Sequence, residues 1–262
     1  MAKNPNLLPL LDTFLAREQE ESSISIDATN SMVVNILAVS LVASSHGYEV
    51  VLLYRHVCGN HPLEKQLMVQ RRMKEALVKT STFYGLPKAL QALFPLFKSL
   101  DEEKGEVDDW GARWDRISHS FTTTTTTTPL APTDLLTKGE IFFTNLWGPT
   151  AAAENSAFNL KHCPDLHFVV TLVLIWIIAD DSLYAPHETC MLNAAAMICS
   201  MNGAQSMWHT RVVVRQGGTM AQARLARDLG VAVKELYRDV EVPGDRVADF
   251  EKIDFEDLVS HA

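Results

Sequence analysis

The segment 187–219 constrains the fold most tightly, because it reads as two helices joined by a short turn. Nearly every side chain over 188–199 is apolar or small, which is typical of a helix packed on several sides. A break follows at 200–203, where Ser200 or Asn202 can cap a second helix and a glycine lets the chain reverse. The segment therefore predicts an antiparallel helical hairpin.

The signals that end this hairpin are equally local. Two consecutive glycines, Gly217 and Gly218, predict the end of the second helix. Thr219 comes next, and Gln222 stands three residues further on, which is the spacing of a capping box. We therefore expect a third helix to begin at Thr219.

One polar face interrupts the otherwise apolar hairpin. Asn202, Gln205 and His209 recur at intervals of three and four residues, so they share one side of the second helix. Three convergent polar side chains predict a lined cavity with His209 directed inward. The alternative stays open that His209 is an ordinary buried histidine that hydrogen-bonds a backbone carbonyl.

A family resemblance rests on the order and spacing of these residues. The stretches that carry it are 162–166, 188–197, 202–211 and 217–219, with 74–79 and 84–93 upstream. Together they resemble the carboxymuconolactone decarboxylase family, within the alkylhydroperoxidase D-like superfamily. The upstream stretches are similar to the helix that follows the active-site hairpin in that superfamily.

The resemblance implies an all-α fold of the alkylhydroperoxidase D-like type, built from two related helical halves. It further implies a cofactor-independent enzyme of secondary metabolism that acts on a small aromatic or polyketide-like acid. The step would be a decarboxylation or a related lyase or isomerase reaction. In it His209 moves a proton, while Asn202 and Gln205 stabilise the oxyanion that develops.

The chain departs from the peroxidase members of the superfamily, which carry a Glu, two Cys three residues apart and a His. Those positions hold Cys190, Asn202, Gln205 and His209, so only the histidine remains. Without a second thiol at this site, disulfide-based peroxide reduction is not expected. Two alternatives stay open: a ligand-binding or scaffold protein without turnover, and an oxidoreductase with one reactive thiol, Cys190 or Cys199.

Four further side chains are candidates for substrate binding. Trp147 stands where the family usually has tyrosine and would form an aromatic wall, while Cys190 occupies the position of the family's glutamate. Glu188 begins the first helix, where capping the helix N-terminus is the favoured alternative role. Arg215 would attract an anionic substrate, with a surface ion pair as its alternative.

The chain divides into three parts by composition. Residues 1–100 form an N-terminal helical half, 101–132 an acidic and threonine-rich linker, and 133–262 a C-terminal half with the candidate site. A weak repeat aligns His46 with Asn202 and Leu53 with His209, so the N-terminal half is expected to act mainly as scaffold.

Several polar side chains of that N-terminal half could still form a second wall of the cavity. Their alternative role is in an ordinary interface. They are His46, Glu49, Tyr54, Arg55 and His56.

Composition excludes several classes of partner. The 262 residues are 47% hydrophobic and carry a net charge of −9, which argues against nucleic acid and anionic membrane surfaces. The longest apolar run, 166–179, is too short to span a bilayer and predicts a buried helix. The four cysteines lack the spacing of a zinc site and fit a reducing cytosol. We therefore expect a cytoplasmic protein with a small-molecule substrate, no metal or other cofactor, and self-association into a homo-oligomer as a possibility.

Overall fold

The computed structural model describes residues 4–22, 25–59, 61–102, 132–240 and 242. This part of the chain contains eleven α-helices and no strand, which confirms the predicted all-α class. The threonine-rich linker expected within 101–132 lies almost entirely outside the described residues.

Five helices precede the undescribed segment and six follow it. The first five are α1 (Leu7–Glu21), α2 (Met32–Ala43), α3 (Val50–Cys58), α4 (Leu63–Tyr84) and α5 (Leu86–Glu102). The other six are α6 (Pro132–Trp147), α7 (Pro149–His162), α8 (Pro164–Val173), α9 (Pro186–Cys199), α10 (Gly203–Arg215) and α11 (Met220–Leu236). Short turns of 3-10 helix lie at Ala28–Asn30 and Gly47–Glu49, and a π turn, Leu174–Ile178, continues α8.

Helices α2 and α9 form the centre of the molecule. All residues of α2 are buried, and its N-terminus is capped by Ser31, whose hydroxyl accepts from the Val33 amide at 3.0 Å. The two central helices contact each other, α2 also contacts α11, and α9 also contacts α4. Each half therefore packs its central helix against two helices of the other half, and both halves share one hydrophobic core.

The backbone reproduces the register of the weak sequence repeat. Ser45 and Met201, which that register pairs, both adopt a left-handed conformation, with φ of 66° and 64°. The next residue in each copy donates from its amide to the carbonyl five residues back: His46 to Leu41 at 2.8 Å, and Asn202 to Met197 at 3.0 Å. The turns after α2 and α9 are thus the same structure.

The predicted hairpin is present as helices α9 and α10, followed by α11. Thr219 and Gln222 form the expected capping box, with the Gln222 amide donating to Thr219 Oγ1 at 3.1 Å and the Thr219 amide donating to Gln222 Oε1 at 2.8 Å. The prediction that the side chain of Ser200 or Asn202 caps α10 is wrong. Asn202 occupies the cap position without a capping side-chain bond, and Ser200 Oγ donates back to Ala196 O. The side-chain amide of Asn202 is therefore available for other contacts.

The apolar run 166–179 is helical, as predicted, but the expectation that it is buried is wrong. None of the residues of α8 is buried, and Phe168 and Val169 are 61% and 54% exposed. Only toward its end, in the π turn, do Ile175 and Ile178 reach the interior. None of the described helices is both long and apolar enough to cross a membrane.

A lysine from α4 fixes this π turn. Lys79 is fully buried, and its ammonium donates to the carbonyls of Ile177, Ile178 and Asp180 at 2.9, 3.0 and 2.6 Å. These carbonyls lie at the end of a helix, where they lack partners within the helix itself. The N-terminal half thus holds in place a segment that shapes the candidate site.

Candidate functional site

His209 lies on the inner side of α10. Its side chain is 6% exposed, and the edge of the Phe83 ring meets it with the ring centroids 5.5 Å apart. The buried Nδ1 has no hydrogen-bond partner among the described residues, so the expected bond to a backbone carbonyl is not made there. Burial disfavours the imidazolium and lowers the pKa of His209 to about 4. The imidazole is therefore neutral at physiological pH.

A cavity of about 500 Å³ opens beside this imidazole. Helix α10 contributes His209 and Gln205, and Asn202 lies at the N-cap position of the same helix. Trp147, the last residue of α6, also lines the cavity. The structure thus brings together the three predicted catalytic side chains and the predicted aromatic wall. The volume is in the range of pockets that hold small organic ligands.

Among the described residues, the wall of the cavity carries polar side chains but no charged one. Its polar side chains are Thr82, Asn155, Asn159, Asn202, Gln205 and His209. The remaining lining is aromatic or aliphatic: Phe83, Phe143, Leu146, Trp147, Val169, Val170, Val173, Leu174, Ile178 and Met197. Amides both donate and accept hydrogen bonds, so this wall suits a neutral ligand with a few oxygen atoms.

Sequence reasoning missed half of this polar wall. Asn155 and Asn159 lie one turn apart on α7, where the Asn159 amide donates to Asn155 Oδ1 at 2.9 Å. Thr82 and Phe83 come from α4, in the half that was expected to act as scaffold. The spacing of the two asparagines was a visible signal, but nothing in the sequence indicated that α7 and α4 flank α10.

Arg215 does not reach the cavity, and neither of its expected roles is realised. Its guanidinium donates to the carbonyl of Leu146 at 3.1 Å, and it forms no ion pair within the described ranges. Gln216 adds a second link to the same helix by donating to the Phe142 carbonyl at 3.2 Å. The end of α10 thereby holds the last turn of α6, and with it Trp147.

Glu188 also lies away from the cavity lining. Its Oε2 accepts from the Ala185 amide at 2.8 Å, and its Oε1 is 3.8 Å from the guanidinium of Arg72. The capping role, which was the favoured alternative, is therefore the one that the geometry shows. A contact with a ligand in the cavity is not compatible with this position.

The thiols of α9 are also outside the cavity. Cys190 is fully buried, and burial raises its pKa; Cys199 is nearly as buried, and its pKa is raised for the same reason. Cys199 Sγ also donates to the Gly230 carbonyl at 3.3 Å. Reactive thiols have lowered pKa values and access to solvent, so neither cysteine has the surroundings of a redox centre.

The N-terminal counterpart of the site is filled with side chains. His46, which the repeat pairs with Asn202, is 1% exposed and packs on the ring of Tyr237 with centroids 4.2 Å apart. Glu49, the counterpart of Gln205, is 2% exposed and interacts with the same tyrosine. These residues, with Tyr54, Arg55 and His56, do not form the expected second wall of the His209 cavity.

Comparisons with other proteins add no assignment to this geometry. Among the described residues, no group of three or more His, Cys, Asp or Glu side chains is placed to hold a metal ion. No protein-family model, no curated protein and no solved structure matches the chain.

Proposed function

We propose that this protein is a cofactor-independent enzyme in which His209 transfers a proton at a carbon atom next to a carbonyl group. The observation that carries this proposal is the neutral, buried imidazole of His209 in the wall of a cavity that it shares with the side-chain amides of Asn202 and Gln205.

In the proposed reaction, the imidazole of His209 begins as a base. It takes a proton from the carbon, and the bonding electrons move onto the carbonyl oxygen as an enolate. Where a C=C bond of the substrate is conjugated with this enolate, the imidazolium returns the proton to the far carbon of that bond, the C=O bond re-forms and the C=C bond shifts by one position. The low pKa makes the free imidazole a weak base, but the enolate that forms beside it stabilises the imidazolium. Gln205 and Asn202 supply amide donors for the enolate oxygen.

The wall of the cavity favours an uncharged substrate. The family resemblance implies a substrate acid, but none of the described residues that line the cavity is a cation that could pair with a carboxylate, and burying an unpaired charge is costly. Three aromatic side chains and four amides instead suit a neutral ring with carbonyl or hydroxyl groups. Among the reactions that the resemblance implies, isomerisation or a related lyase step therefore fits this cavity better than decarboxylation of an anion.

A ligand-binding protein without turnover is the second candidate. It is favoured by one observation: no described side chain hydrogen-bonds Nδ1 of His209 to orient the ring, as a third group does in many histidine bases. Both candidates use the same cavity and differ only in turnover.

Solvent deuterium exchange separates the two candidates. We expect the protein to accelerate exchange of the acidic carbon-bound protons of neutral bicyclic ketones such as 2-tetralone, followed by NMR in D₂O. His209→Gln should reduce the acceleration by about a hundredfold to ten-thousandfold, the usual range for a positioned proton-transfer group. His162→Gln, at an exposed position of α7, is the matched control and should exchange like wild type.

Each failure has a distinct meaning. Saturable ketone binding that quenches tryptophan fluorescence, without acceleration of exchange, would support the ligand-binding candidate. Acceleration that survives in His209→Gln would contradict the role of His209 as the base.

We also propose that the protein self-associates. The paired helices α7 and α8 expose Phe158, Leu160 and Phe168, which are 64%, 51% and 61% accessible in the single chain. Large apolar side chains that stay exposed on two neighbouring helices are candidates for an interaction surface. Light scattering after size-exclusion chromatography should give a mass above that of one chain, and Phe158→Lys with Phe168→Lys should restore the monomer mass.

A further inference from the structure

A second concave site lies on the other side of α10. This groove has a volume of about 510 Å³ and runs between α10 and α11, with the end of α9 at its base. None of its lining residues belongs to the His209 cavity. Helix α10 therefore separates two sites of similar size.

The groove is basic, whereas the His209 cavity is uncharged. Arg211, Arg227 and Lys234 line it, and none of the other described residues around it carries a carboxylate. Arg227 is already paired with Asp228 at 2.6 Å. Arg211 lies over the ring of Trp208, with its guanidinium carbon 5.6 Å from the centroid, and neither Arg211 nor Lys234 forms an ion pair with any described residue. Two cations are thus left to attract an anion, on a chain whose net charge is −9.

Besides these cations and the hydroxyl side chains of Ser206 and Thr210, the groove is lined mainly by exposed apolar side chains. Met201, Met207 and Val231 are 76%, 46% and 44% accessible, and Ile198 lies beside them. Unbranched methionine side chains adapt to flexible apolar ligands, because they rearrange at little cost. An apolar floor next to uncompensated cations matches a molecule with an aliphatic chain and an anionic head.

We infer that this groove binds a small amphiphilic anion, namely a carboxylate that carries a single aliphatic chain. The carboxylate lies against Arg211 and Lys234, and the chain lies along Met201 and Met207. Arg211 is suited to the head group because guanidinium donors match a carboxylate in geometry. This inference is independent of the reaction assigned to the His209 cavity, which has no cation for such a head group.

Methionine methyl groups report on the two sites separately. Met201 and Met207 line the groove, Met197 lines the His209 cavity, and Met191 is buried away from both. In protein labelled with ¹³C at the methionine methyls, decanoate should shift the signals of Met201 and Met207 saturably. The signals of Met197 and Met191 should stay in place. Substitution of each methionine by leucine assigns the signals.

The charge of the head group is tested on the wild-type protein. Decyltrimethylammonium has the same chain as decanoate with the opposite charge, and acetate has the same head group without the chain. We expect binding at least about tenfold weaker for both, and decanoate binding that weakens as salt is added.

Charge reversal completes the test. Arg211→Glu combined with Lys234→Glu should weaken decanoate binding by at least about tenfold. Arg224→Glu, an exposed position on α11 outside the groove, makes a single charge reversal and should bind like wild type. Equal affinity for the two head groups, or shifts confined to Met197, would overturn the inference. The comparison of decanoate with decyltrimethylammonium uses only the wild-type protein, so its result does not depend on folding of the double variant.

Discussion

Ser45 and Met201 are equivalent residues of the two halves, and both hold a left-handed backbone although neither is glycine. A side chain in this conformation is strained, at a cost of the order of 1 kcal/mol. The same strain in both copies of the turn shows that the short connection between helices imposes it. The turn directs the residue that follows it toward the site. This residue is Asn202 in the C-terminal half and His46 in the N-terminal half.

Met201→Gly should therefore stabilise the protein. Met201 is 76% exposed, so little packing is lost, and relief of the strained φ should contribute up to about 1 kcal/mol. Met207→Gly is the control, because Met207 is also exposed but lies within α10, where glycine costs about 1 kcal/mol. Urea unfolding followed by circular dichroism measures both changes, and a lower free energy of unfolding for Met201→Gly would refute the strain.

His209 should make the stability of the protein depend on pH. Its pKa is about 4 in the folded protein and 6.5 in an unperturbed chain, so the unfolded chain binds more protons between these values. Stability should therefore fall as the pH decreases from 6.5 to 4, by about 3 kcal/mol in total at about 1.4 kcal/mol per pKa unit. Unfolding free energies measured across this range should show the slope in wild type.

His209→Gln removes this titration and should reduce the slope in the same range, while His46, whose pKa is also lowered by burial, keeps its own contribution. His162→Gln, at an exposed position, should keep the wild-type slope. If His209→Gln retained the full slope, the titrating group would be elsewhere in the chain.

Lys79→Met should be among the most destabilising substitutions. It removes the ammonium that donates to the carbonyls of Ile177, Ile178 and Asp180, and a hydrogen bond to a charged group contributes about 1.5–3 kcal/mol. We expect a loss of about 3 kcal/mol or more in the free energy of unfolding. Lys98→Met, at a side chain that is 77% exposed, should change stability by less than about 0.5 kcal/mol.

Gln205→Ala tests the proposed stabilisation of the enolate. It should reduce deuterium exchange by about tenfold to a thousandfold and leave ketone binding nearly unchanged, because the donor acts mainly on the developing charge. Thr210→Ala is the control on the same helix, outside the cavity lining. An equal loss of binding and exchange in Gln205→Ala would indicate a ligand contact without a catalytic part.

Sequence patterns were sufficient for the hairpin because its signals are local. The apolar helix, the glycines and the Thr219 capping box act over a few residues, and the spacing of Asn202, Gln205 and His209 determines which side they share. The register of the weak internal repeat pairs Ser45 with Met201, and the left-handed backbone that both residues adopt is a finding of the structure that the sequence did not predict.

The opposite wall of the cavity could not be predicted, because it depends on long-range packing. Asn155 and Asn159 reach the site only because α7 lies beside α6, and Thr82 only because α4 packs against α9 and brings the neighbouring Phe83 onto His209. Arg215 and Glu188 were assigned to the ligand because they are charged and near His209 in sequence. In the structure both instead satisfy backbone groups at helix ends.

The stacking of His46 on Tyr237 explains why the two halves differ in their packing. The tyrosine follows the last helix of the C-terminal half and fills the space of the N-terminal half that corresponds to the cavity. One of the two similar halves is thus filled at this place, while the other encloses a cavity. A cavity lowers the stability of a fold, so the filled half contributes stability that the half with the cavity lacks. Mutations should accordingly be tolerated unevenly: residues around His209 are free to change with the ligand, whereas residues around His46 are constrained by folding alone.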